Sequence, residues 1–263
     1  MNEILRNISS ETINFYIEKN LDDFYTKSSE HTNFLSRIDD KISWILPKNA
    51  DWPDCIFRAN FEKLKLKKEI FKIKKLIQEK KAPNGWTVGP LTKPKNLGEI
   101  LEKCGFANVY HQAGMAVELR TLKYKEIVKN DLLIERVDNE LKLTQWSEVV
   151  SKVFALKVDH DLLKFLSQQG NTYFYLGKYN EKPVSTLMLY LSSGVAGLHA
   201  VSTLPEYRGR GFGLCISRTA LIEALQLDYY IGVLQASSLG ERVYRKLGFQ
   251  KYCDIFSYAL EKE

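Results

Sequence analysis

Thr203-Leu204-Pro205-Glu206-Tyr207-Arg208-Gly209-Arg210-Gly211-Phe212-Gly213 joins an apolar run at 195–203 to a stretch of helical character at 212–227. Three glycines alternate through this turn, so successive backbone N–H groups can face one point with no Cβ in the way. The positive end of the following helix adds to them, and Arg208 and Arg210 supply formal charge. The guest that suits such a loop is a pyrophosphate.

Phosphate loops of two common kinds do not fit. A nucleoside-triphosphate loop ends in Gly-Lys-Ser/Thr, but here Gly213 is followed by Leu214 and Cys215. A dinucleotide fold needs G-x-G-x-x-G and an acid about twenty residues on. The spacing here is G-x-G-x-G, and Val233 stands where the acid belongs.

Outward from the loop, the pattern predicts strands at 132–137, 172–178, 184–191, 195–203, 229–235 and 253–260. Helices are expected at 144–155, 161–168, 212–227 and 238–247. Strands that first run antiparallel and then alternate with helices imply a mixed sheet with helices packed on it. In the front half the same reading gives helices at 10–26, 30–40, 60–81 and 97–103. Extended segments fall at 42–46, 54–57, 86–88 and 113–121. Ser237 precedes a second motif, Gly240-Glu241-Arg242-Val243-Tyr244-Arg245-Lys246-Leu247-Gly248-Phe249.

Arg208, Gly211 and Gly213 fit the R-x-x-G-x-G loop of the GNAT acyltransferase superfamily, and the second motif follows in the family's order and spacing. The span 132–260 resembles a GNAT N-acetyltransferase domain. The whole chain resembles proteins in which a degenerate GNAT-like half precedes a working one. The fold class this implies is α/β (α+β): a mixed, mostly antiparallel sheet flanked by helices, with residues 1–125 as the degenerate or scaffold domain and 126–263 as the catalytic one. The cofactor implied is acetyl-CoA (coenzyme A). Its pantetheine arm would pair with the backbone of Val201, Ser202 and Thr203, in a cleft where two parallel strands splay apart. Its pyrophosphate would meet Arg208 and the N–H groups of Gly209, Arg210, Gly211, Phe212, Gly213 and Leu214. Ser237 stands where the family often has a cofactor-binding Asn. Tyr244 occupies the place of the tyrosine that protonates the departing thiolate. The resemblance further implies direct attack by an amine on the thioester, with backbone N–H groups near 201–203 steadying the oxyanion. Gly197 stands where a glutamate base is usual. His199, two residues on and on the same strand face, is the candidate substitute.

The front half carries the chain's charge. Residues 1–125 hold 22 Lys+Arg against 16 Asp+Glu, and residues 126–263 hold 16 of each. Nine lysines between Lys63 and Lys81 share their helix with Leu66, Ile70, Ile73 and Ile77, an apolar stripe. That pattern reads as a solvated helix face, with Phe71 assigned to the buried side. Nucleic-acid binding is not expected, since neither interleaved aromatics nor a known module is present. A weak echo links 101–106 to 244–249, with Leu101 in the place of Tyr244. No glycine precedes Gly85, so a phosphate loop is confined to the second half. Trp44, Trp52 and Trp86 are candidates for an acceptor pocket or for aromatic core.

Cys55, Cys104, Cys215 and Cys253 are far apart and form no metal-type pair, so no metal site is expected and the thiols suit a reducing compartment. The start of the chain has no apolar signal core, and the longest uncharged stretch, 183–205, is broken by turn residues. A cytoplasmic protein with no membrane span is expected. The acceptor is read as a small-molecule or peptide amine, and a homodimer is left open. The competing reading is a catalytically silent module that binds CoA or scaffolds a partner.

Overall fold

The computed structural model describes residues 4–62, 66–122 and 131–260. Helix α1 (Ile13–Ser28) leads into β1 (Phe34–Ile38), β2 (Ser43–Pro47) and β3 (Cys55–Phe57), then α2 (Leu66–Gln78), β4 (Gly85–Val88), α3 (Leu97–Lys103) and β5 (Phe106–Glu118). The second half follows as β6 (Leu133–Arg136), α4 (Glu140–Phe154), α5 (His160–Ser167), β7 (Thr172–Tyr179), β8 (Lys182–Ser192) and β9 (Val195–Thr203). It ends with α6 (Phe212–Gln226), β10 (Ile231–Ala236), α7 (Ser238–Leu247) and β11 (Gln250–Leu260).

One sheet of eleven strands runs β1-β2-β3-β4-β11-β5-β10-β9-β8-β7-β6. The last strand lies among those of the front half, and β5 lies beside β10. Reading outward from the antiparallel pair β11/β5 gives the same sequence of partners on both sides. An antiparallel neighbour comes first (β4 or β10), then a parallel one (β3 or β9), then two antiparallel strands, with β6 added antiparallel beyond β7 on one side only. This pseudo-twofold order is the structural form of the echo between 101–106 and 244–249. The boundary drawn at 125/126 falls outside the described residues, and the strands on either side of it interleave.

Alternation along the central strands sorts the core. In β8, Leu187, Leu189 and Leu191 pack with Ile216, Ala220 and Leu221 of α6. Met188 and Tyr190 join Trp146 and Val150 of α4, with Phe24, Ile45 and Phe57 from the front half. A further core holds Trp44, Ile56, Ile70, Ile73, Trp86, Leu97 and Leu101. The two halves therefore share buried surface as well as strands.

Most expected elements are present, with three corrections. The helix expected at 30–40 is an edge strand. Asp39 Oδ1 accepts from the N–H groups of Lys41 and Ile42, turning the chain into a hairpin, and only Phe34 of β1 is buried. The strand expected at 113–121 begins earlier, at Phe106, and gives way to a 3-10 turn at Leu119–Thr121. Its first part is masked in sequence by the exposed Asn108, Val109, Tyr110 and His111. Phe71 is 60% exposed, because the stripe of Leu66, Ile70 and Ile73 already faces the core and the next residue turns about 100° away from it. Among the described residues, no helix is long and apolar enough to cross a membrane.

Candidate functional site

Strands β9 and β10 pair in parallel at Ala196/Gly232, Gly197/Val233 and Leu198/Leu234, and no further. Beyond Leu198 the chain of β9 is bulged. Its register with β8 passes from His199↔Met188 to Ser202↔Thr186, leaving Ala200 and Val201 opposite Leu187. Ala200 takes φ +48°, a left-handed conformation that a residue with a Cβ adopts only under constraint. Side chains hold the bulge in place. Thr186 Oγ1 donates to the Ala200 carbonyl (3.1 Å) and lies 2.6 Å from Ser202 Oγ, while Ser185 Oγ donates to the Ser202 carbonyl (2.6 Å). The side chain of Ser202 is thus occupied within the sheet, and what the end of β9 offers the cleft is backbone.

The glycine loop stands at the mouth of this cleft. Gly209 and Gly211 have φ +80° and +79°, and Gly211 starts α6 with no side chain capping the helix. The first N–H groups of a helix have no partner within it, so those of Phe212, Gly213 and Leu214 remain to be satisfied from outside. A Cβ at Gly209 would meet nothing within 4 Å, and one at Gly213 only Thr203 Oγ1 at 3.9 Å. Donors and open space therefore coincide, which is the arrangement a diphosphate needs. The side chains of Phe212 and Leu214 turn into the core. Arg208 Nε donates to the Thr203 carbonyl (3.2 Å), tying the loop to β9, and the Arg210 guanidinium lies over the rings of Tyr179 and Tyr207.

A trough beside Arg208 and Gly213 runs between β9 and α7 past Val201, Ser202, Thr203, Ser237 and Tyr244. It meets a second cavity bounded by His199, Val201, Gln235, Ser237 and Tyr244 on one side and by Leu21, Phe24, Tyr25 and Trp52 of the front half on the other. Ser237 caps α7, its Oγ accepting from the Gly240 N–H (3.1 Å). Tyr244 is 8% exposed and borders both spaces, and burial pushes its hydroxyl well above the usual tyrosine range. His199 is packed. Its ring stacks on Phe24 (5.5 Å between centroids), and its Nε2 lies 2.9 Å from Asn20 Oδ1. An amide oxygen only accepts, so Nε2 carries the proton. Burial lowers the imidazole pKa to about 4, which leaves the ring neutral.

Asn20 was not legible as a site residue. It is fully buried on α1, and its Nδ2 donates to the Tyr190 carbonyl (3.1 Å) and Ser192 Oγ (2.9 Å). A Cβ built on Gly197 would lie 1.9 Å from Asn20 Oδ1, so the front half fills the space that a side chain at 197 would take. The available signal is a polar residue among Ile13, Ile17, Leu21 and Phe24, the buried face of its helix. Of the candidates Trp44, Trp52 and Trp86, Trp52 lines the cavity, stacked on Phe24, while the other two are front-half core.

Residues 140–249 match the model of the Acetyltransferase (GNAT) family. The structure is similar to a GCN5-related N-acetyltransferase from Kribbella flavida, at 15% identity and TM-score 0.69, over 93% of this chain and 96% of that one. A GCN5-related N-acetyltransferase from Sphaerobacter thermophilus is similar at 13% identity and TM-score 0.63, over 96% and 93%. At such identities the likeness is one of fold. No curated protein matches the sequence significantly. The class to which fold and motifs are similar is the GNAT acyltransferase, and residues 140–249 are the part of this chain that carries the sequence match.

Proposed function

We propose that the protein is an acetyl-CoA-dependent N-acetyltransferase that moves an acetyl group to an amine by direct attack. The observation that carries this reading is the coincidence of a parallel strand pair ending at Leu198/Leu234, a bulged β9, and an uncapped glycine-loop helix at the same opening. Acetyl-CoA brings an activated thioester. The backbone of Val201 and Thr203 offers strand-like pairing to its pantetheine arm. Ser202 contributes through its main chain, Arg208 sets the loop, and the N–H groups from Gly209 to Leu214 receive the diphosphate charge.

At the reacting centre, N–H groups of the bulge near Val201 would stabilise charge on the carbonyl oxygen. Tyr244 keeps its proton through the neutral range and can deliver it to the departing sulfur. Ser237, whose Oγ is engaged at the start of α7, shapes the wall between the two spaces. His199 presents a neutral ring whose Nε2–H is held by Asn20, so it orients the acceptor side more readily than it removes a proton. Residues 1–125 serve as scaffold and as the far wall of the acceptor cavity, and 126–263 carry the chemistry.

Thermal denaturation with acetyl-CoA tests the reading. We expect a raised midpoint for the native chain, and none for Gly211→Val, whose side chain would be strained at φ +79° and would cover the N–H groups. No stabilisation of the native chain by millimolar acetyl-CoA would refute it.

A further inference from the structure

The acceptor cavity is walled largely by rings, and its described lining carries no formal charge. Phe24, Tyr25, Trp52, Tyr110, Phe154 and Tyr244 surround it, and among the described residues no Asp, Glu, Lys or Arg lines it. Besides the tyrosine hydroxyls and the Trp52 indole N–H, its polar groups are the neutral Gln112, His199, Gln235 and Ser237. Gln235 Nε2 already donates to the Ile17 carbonyl (2.9 Å), and Gln112 Nε2 donates to the Gln235 carbonyl (3.3 Å). Their amide oxygens remain as uncharged acceptors for an N–H group. The acids neighbouring Asn20 on α1 are directed elsewhere. Asp22 lies 3.7 Å from the Arg58 guanidinium, Asp23 accepts from Ser193 Oγ, and Glu18 accepts from the Leu91 N–H. The groups facing His199 are Asn20 and Phe24 on α1 and Tyr190 on β8.

An alkylammonium entering this space would lose its hydration with no anion to replace it. It would also find only a weak base, because His199 Nε2 carries its proton against Asn20 and burial disfavours a second proton on Nδ1. An aromatic amine escapes these difficulties: its nitrogen is unprotonated at neutral pH, and its flat body suits a wall of rings in which Trp52 lies over Phe24. Resting on the acetyl-transfer reading, we propose that the acceptor is a flat aromatic amine of the aniline type, taken up uncharged between α1 and β9. In the reaction the amine nitrogen forms a bond to the acetyl carbon, the carbon–sulfur bond breaks, and the proton lost by nitrogen is balanced by the proton gained by the thiol of CoA.

The test compares p-toluidine with benzylamine, which have the same size and differ in charge at neutral pH, by following CoA thiol release from the full-length protein. We expect p-toluidine to react at least about tenfold faster in kcat/KM at neutral pH, with a rate that is flat across neutral to mildly alkaline pH. Benzylamine should gain as pH rises toward its own deprotonation. Trp52→Ala should raise KM for p-toluidine with little change in the midpoint gained from acetyl-CoA. Asn20→Asp, by placing a carboxylate on His199, should shift preference toward benzylamine. Stabilisation by acetyl-CoA with benzylamine preferred at neutral pH, or with neither amine acetylated, overturns the substrate class alone. Absence of stabilisation overturns the acetyl-transfer reading and this inference with it.

Discussion

The molecule contains the same strand junction twice, once open and once closed. In the second half β9 and β10 part after Leu198/Leu234, and two residues beyond Leu198 stands Ala200 at φ +48°. In the front half β3 and β4 meet only at Ile56/Trp86, and two residues beyond Ile56 stands Arg58 at φ +54°. By that offset Val201 and Thr203 correspond to Ala59 and Phe61. There the resemblance ends. The Ala59 carbonyl accepts from the Lys93 N–H (2.9 Å), and the Phe61 N–H donates to the Lys93 carbonyl (3.0 Å). The front half's own chain thus occupies the pairing edge that β9 leaves open, and no glycine loop follows β3. A shared backbone geometry becomes a binding site only where nothing internal satisfies it.

The sharpest way to break this comparison is to close the open junction. Gly211→Val is expected to remove acetyl-CoA binding and to cost about 1–2 kcal/mol of stability from the left-handed backbone, read by calorimetric titration and by denaturant unfolding. Retained affinity would show that the loop is not the phosphate cradle. Next in size, Tyr244→Phe should lower kcat on the order of 10²-fold with acetyl-CoA affinity unchanged, the pattern of a lost proton donor. An unchanged kcat removes Tyr244 from that role.

Gly197→Ala probes the contact by which the front half completes the second. The added methyl meets Asn20 Oδ1, and overpacking of this kind costs about 1–3 kcal/mol. The double variant with Asn20→Ala should be less destabilised than the sum of the two single changes. Additivity within error would mean that the two positions do not meet.

A pH dependence is also expected, seated in the front half. Burial raises the carboxyls of Glu18 and Asp22 to about 7 and about 8. The folded protein therefore holds protons that the unfolded chain has released, so these groups make stability fall as pH rises from about 4 to about 8 and level off above. Asp22→Asn should raise the thermal midpoint more near pH 8 than near pH 4. Equal effects at both ends would contradict the sign.

The second half was legible because its signals are local. The apolar runs of β7–β9, the glycine loop and the Ser237–Gly248 segment each place an element within a few residues of its observed limits. The loop before α6 could be read because three glycines between a strand and a helix are a local signal. What the sequence hid is non-local. β1 is an edge strand with one buried residue, so it carries no period-two pattern, and the place of β11 between β4 and β5 depends on pairing across the whole chain. Asn20 is separated from His199 by 179 positions and is joined to it only by the fold.

A crystal structure with coenzyme A bound tests the central claim most directly. The prediction is one molecule per chain, its pantetheine along Val201–Thr203 and its diphosphate over the N–H groups of Gly209–Leu214, with the Lys93 pairing to Ala59 and Phe61 intact. A ligand seated at the front junction, or one that leaves those N–H groups untouched, would contradict it.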